Sequence, residues 1–86
     1  MATDGSDFLI EYRAVIERRV REQVERHQGV NPNTDPRRVV EIQMKQERER
    51  LERLIAADET TPDQVDVFRQ LLEWLPQLER QMTGRR

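Results

Sequence analysis

The sequence predicts an all-α fold, an antiparallel three-helix bundle, on three observations. Two proline-marked helix starts, Asp35-Pro36 and Thr61-Pro62, divide the 86 residues into three segments of similar length. Apolar residues recur at three- and four-residue steps in each segment, the spacing that lays them along one face of a helix. The connections are short, and short connections make consecutive helices antiparallel neighbours. One helical domain accounts for residues 1–86, with 1–5 and 83–86 expected to be flexible.

The first helix is expected over about 7–28. Ser6 or Asp7 can cap it, Leu9, Tyr12, Ile16, Val20 and Val24 form its inner stripe, and Arg26 and His27 precede a stop at Gly29. Acid at the start and base at the end suit the helix dipole. The stretch from Gly29 to Asp35 is dense in turn formers and reads as a compact surface loop ending in an Asp35 cap.

The second helix is expected over 36–57, with Val40, Met44, Leu51, Leu54 and Ile55 inward. Thr61-Pro62-Asp63-Gln64 then reads as a capping box with proline at the first helical position. It opens a third helix over 62–82 whose inner face carries Val65, Phe68, Leu71, Leu72, Leu75, Leu78 and Met82. Pro76 lacks a backbone donor and its ring meets the carbonyl of Leu72, so a kink or break is expected near Leu75, as a bend that fits the bundle rather than a hinge.

Running the second helix back along the first and the third alongside both gives layers that can be named. They are Leu9, Leu54, Ile55 and Val65; Tyr12, Leu51 and Phe68; Ile16, Glu47, Leu71 and Leu72; Val20, Met44 and Leu75; and Val24, Val40 and Leu78. Glu47 is the one charged residue at an inward position, and Arg19, one turn from Ile16, is its nearest candidate partner.

Charged residues make up 37% of the chain and hydrophobic ones 35%, a balance that would suit disorder if the charges came in blocks. They alternate instead, as in Glu47-Arg48-Glu49-Arg50, which makes them a solvated helix face. The net charge of −2 argues against a whole-protein basic footprint for nucleic acid. The chain has no cysteine, no apolar run near membrane-span length and no apolar leader, so a cytoplasmic, soluble protein is expected. Lys45 is the sole lysine among 15 basic residues, a bias expected of a GC-rich bacterium or its phage.

No catalytic constellation stands out. His27 is the only histidine, and without a clustered acid it makes neither a metal site nor a general base. The three glycines are isolated, so there is no phosphate loop. Neither enzyme activity nor a cofactor or metal is expected. Glu47 is the residue that tests this. The reading preferred from sequence puts it at the solvent boundary with Gln43 inward, ahead of a register-fixing polar residue and of a ligand site formed by Glu47 and Arg19.

The string Glu47-Arg48-Glu49-Arg50-Leu51-Glu52-Arg53-Leu54-Ile55, with Arg13 and Ile16 on the first helix, faintly resembles the all-helical chorismate mutases. That resemblance implies a three-helix chain dimerising around polar sites, with Glu47 at a substrate-holding glutamate. Gln46 stands where the family has an arginine, and the second helix-1 arginine and the active-site lysine have no match. Losing several cations removes most of what would bind a dicarboxylate, and the resemblance is not adopted.

Two surfaces remain. Arg18, Arg19, Arg21, Arg26, Arg37 and Arg38 converge near the first loop, interleaved with Glu17, Glu22, Glu25 and Glu41. Trp74 points off the main stripe of the third helix with Val67 on its side, and Phe8, Ile10, Val15, Val39 and Ile42 exceed what one narrow stripe needs. The expectation is a small protein-interaction module, an adaptor, inhibitor or regulatory subunit, with a homodimer seam on this second apolar surface. Its contact residues would be Trp74, Val67 and Ile42, with Arg37 and Arg38 steering by charge. The alternatives are a nucleic-acid-associated protein using the arginine-rich end and a small-molecule enzyme centred on Glu47.

Overall fold

Three helices carry residues 5–84, the part of the chain that the computed structural model describes: α1 (Gly5–Val30), α2 (Pro36–Ala56) and α3 (Pro62–Thr83). They pack on one another as an all-α three-helix bundle. The expectation of flexible ends falls partly outside these residues. Gly5 and Thr83, which it included, are helical.

α1 begins earlier and ends later than its sequence signals suggest. Ser6 and Asp7, expected at the cap, lie inside the first turn, where Asp7 still complements the helix dipole. Gly29 is helical and does not terminate α1; among the described residues only Gly84 has positive φ. The Asn31 amide continues the ladder by donating to the His27 carbonyl at 2.9 Å, and the helix stops where Pro32 follows. Two local bonds then close the loop: the Asn33 amide donates to Asn31 Oδ1 and the Thr34 amide to the Asn31 carbonyl.

The two proline-marked starts form as the sequence requires. Asp35 Oδ1 accepts from the Arg37 amide at 3.0 Å, with Pro36 in the first turn. Thr61 and Gln64 make the reciprocal capping box, each side chain accepting from the other's amide at 3.3 and 3.1 Å. Between them the Ala57 amide donates to the Leu54 carbonyl, as does the Thr60 hydroxyl, closing the end of α2. At the far end of α3, Gly84 takes the left-handed conformation, φ 71°, that ends many helices.

Pro76 does not break α3, which runs uninterrupted from Pro62 to Thr83. Pro76 itself is exposed, while Leu71, Leu75 and Leu78 around it are fully or almost fully buried. Burying three leucines at roughly 1.5–3 kcal/mol each outweighs one lost hydrogen bond and a ring clash of about 3 kcal/mol.

The layers fall as the antiparallel arrangement requires. Tyr12 and Phe68 stack edge to face with centroids 5.8 Å apart, and Phe8 joins both rings at 5.7 and 6.2 Å. Ile16, Val20, Leu51, Leu71 and Leu78 are completely buried, and every residue assigned inward from sequence is at least half-buried. The result is a rod of 46 × 26 × 23 Å. Its radius of gyration of 14.4 Å exceeds the roughly 12 Å of an average domain this size. Because α2 runs opposite to α1 and α3, late α1, early α2 and late α3 share one end of the rod, and the α2–α3 turn lies at the other.

Pro76→Ala restores a helix donor at an exposed position and is expected to stabilise the bundle by about 2 kcal/mol after allowing for the freer unfolded chain. A urea midpoint that falls would show that the ring fills a contact.

Candidate functional site

Glu47 is not at the solvent boundary. Its residue surface is 1% exposed, and both carboxylate oxygens accept from Arg19 Nη1 at 2.9 Å. Gln43 is buried too, so the inward stripe of α2 carries both polar residues rather than exchanging one for the other. The pair is asymmetric. Arg19 keeps 29% of its side chain in solvent and its remaining donors can be hydrated, whereas the carboxylate, at 2%, depends on the guanidinium. This is one arginine on one carboxylate, one turn from the fully buried Leu51.

The expected outer surface on α3 is divided between core and boundary. Val67 is 5% exposed and belongs to the core, so it cannot serve as an outer contact. The reason is that three helices enclose a wider wedge of α3 than a single stripe, and Val67 closes one side of it. Trp74 is half-buried against the core, with the Arg13 guanidinium 5.2 Å from its ring centroid. Arg13 Nε is buried there with no hydrogen-bond partner, so the ring is the compensation that this part of the guanidinium has. Trp74 thus ties α3 to α1.

The other surplus apolar residues also separate. Phe8 joins the aromatic cluster and Val39 is buried, while Ile10, Val15 and Ile42 stay 63%, 42% and 51% exposed. Of the five contact residues expected from sequence, Ile42, Arg37 and Arg38 are on the surface, at the start of α2.

A feature not foreseen is an open cleft of about 350 Å³ at that end of the rod. Val24 and Glu25 with Arg21 from α1, Pro36 and Val40 from α2, and Gln81 and Met82 from α3 line it. Its apolar lining is the edge of the last core layer, where the chain places two valines: Val40 is buried, and Val24 and Met82 are half-buried. The layer pattern contained this signal: Val24 and Val40 are the smallest pair of facing core residues, next to the open end.

The charged residues that line the cleft are Arg21 and Glu25, and further arginines stand at the same end of the rod. Arg26, Arg37, Arg38 and Arg80 are exposed, and among the described residues none has a carboxylate within ion-pair distance; Arg21 is held by Glu17 at 3.3 Å. Arg37 and Arg38 occupy the first turn of α2, which contains no acid. Helix dipoles favour negative charge at that position, so each arginine costs roughly 0.3–1 kcal/mol at low ionic strength. Two cations in a disfavoured place at the end of the rod that holds the cleft mark this end as the candidate site.

Arg19→Ala strands the buried carboxylate and is expected to cost about 3–5 kcal/mol, whereas Arg19→Met with Glu47→Leu recovers most of that loss or exceeds the parent. Denaturation of the set measures this, and an Arg19→Ala variant as stable as the parent would show that Glu47 reaches water.

Among the described residues no helix is long and apolar enough to cross a membrane, and no group of three or more His, Asp or Glu side chains is placed to hold a metal ion. No protein-family model, characterised protein or solved structure matches the chain, so the short chorismate mutase resemblance carries no functional conclusion.

Proposed function

We propose that this chain is a cytoplasmic protein-interaction module, an adaptor, inhibitor or regulatory subunit, that presents the basic end of its bundle to an acidic surface on a partner. The observation that carries the reading is the cleft: an apolar lining of Val24, Val40 and Met82 at the same end as Arg26, Arg37, Arg38 and Arg80, which among the described residues are in no ion pair. Apolar side chains of a partner would displace water from the floor while its carboxylates meet Arg37, Arg38 and Arg80. Ile42, one turn from Arg38 and half exposed, extends the apolar contact along α2.

The position of Arg37 and Arg38 also favours a second reading, a nucleic-acid-associated protein, because guanidinium groups at a helix N-terminus suit phosphate oxygens. An apolar floor adds little to phosphate binding, which is why the protein reading is preferred. An enzyme centred on Glu47 has less support, since both carboxylate oxygens are engaged by Arg19 in a closed core layer.

Arg37→Glu with Arg38→Glu separates binding from folding. The variant places acid where the α2 dipole favours it, so stability is expected to rise by about 0.5–2 kcal/mol. Affinity for a labelled amphipathic peptide with a leucine stripe and glutamate flanks is expected to fall by about tenfold or more at low salt. No binding of the peptide by the parent chain would remove the proposal, and tighter, salt-sensitive binding of duplex DNA lost in the variant would favour the second reading.

A further inference from the structure

We propose that the occupant of the cleft is the acidic end of a second copy of this chain, so that the bundles associate head to tail. The inference rests on the reading of the basic end as a binding surface and names its partner. Residues 54–68 form the opposite end of the rod and contain four carboxylates, Asp58, Glu59, Asp63 and Asp66, with no lysine or arginine. All four are exposed, and among the described residues none is in an ion pair.

The two ends are complementary in three respects. Arg37, Arg38 and Arg80 are exposed at the end of the rod that holds the cleft, and the α2–α3 turn offers the opposite charge without an internal base to neutralise it. The turn is narrow and its small apolar side chains, Ala56, Ala57 and Pro62, are exposed, which suits entry into an open cleft floored by Val24, Val40 and Met82. The C-terminal carbonyl end of α2 in one copy would also face the N-terminal amide end of α2 in the next, so the helix dipoles align.

Within one molecule the ends lie at opposite tips of a 46 Å rod and cannot meet, so the pairing is available only between copies. Such a contact is heterologous: each added copy leaves one end of each kind free, and assembly grows with concentration instead of stopping at two. A tip of 26 × 23 Å buries little area, which places the contact in the weak, transient class and makes it depend steeply on salt.

Sedimentation equilibrium on the full chain tests this. The average mass is expected to rise above 10.3 kDa with concentration at low salt and to return to it at high salt. Arg37→Glu/Arg38→Glu gives a molecule with two acidic ends, and Asp58→Arg/Glu59→Arg gives one with two basic ends. Each alone is expected to associate at least about tenfold more weakly, and an equimolar mixture is expected to recover association, because intact ends are again opposed. A parent chain monomeric at every concentration, or a dimer that survives both reversals, would overturn head-to-tail association. If the monomeric parent still binds the acidic peptide, only the identity of the partner is lost; if it binds neither, the proposed function fails with it.

Discussion

The bundle depends on a carboxylate that cannot be left alone. Burying Glu47 without Arg19 would cost several kcal/mol, a large share of what a domain of this size has, so the fold is stable only where α1 presents the guanidinium opposite α2. Sliding α1 by one turn, about 5.4 Å, would set Glu47 against an aliphatic part of the α1 stripe. Apolar layers alone tolerate such slips, since one aliphatic layer resembles the next. The ion pair and the Phe8, Tyr12 and Phe68 cluster do not, and they fix α1 against both other helices.

With the register fixed, the surface follows. The middle of the rod is closed by the ion-pair layer and by Trp74 under Arg13, and the aromatic rings fill the acidic end. At the cationic end the last core layer is built on two valines. There the first turn of α2 carries two arginines that its dipole disfavours, where the first turns of α1 and α3 carry Asp7 and Asp63. At α2 the favourable charge is confined to the Asp35 cap and two arginines follow it, at the end that holds the cleft, which is the pattern expected where stability yields to binding.

Most of the fold was legible because its signals are local or periodic. Asp35-Pro36 and the Thr61–Gln64 box fix two helix starts through bonds between residues two or three apart, and the stripe from Val65 to Met82 encodes burial directly. Gly29 misled because its local preference, worth about 1 kcal/mol, is outweighed by helix continuation, and at Pro76 leucine burial outweighs a cost of about 3 kcal/mol, so that α3 continues through it. Val67 and Glu47 misled because one helix cannot show how wide a wedge its neighbours will enclose. The cleft was the least legible feature, since it arises from what three chain segments leave uncovered. Arg37 and Arg38 were visible as charges, but their meaning came from the turn they occupy.

Nuclear Overhauser contacts between helices measure the register most directly. Contacts between the Tyr12 and Phe68 rings, together with contacts from the Arg19 guanidinium protons to the Glu47 side chain, are expected. Tyr12 contacts displaced by one turn along α3 to Leu72, or an Arg19 side chain with no contact to α2, would contradict a bundle pinned by its buried ion pair.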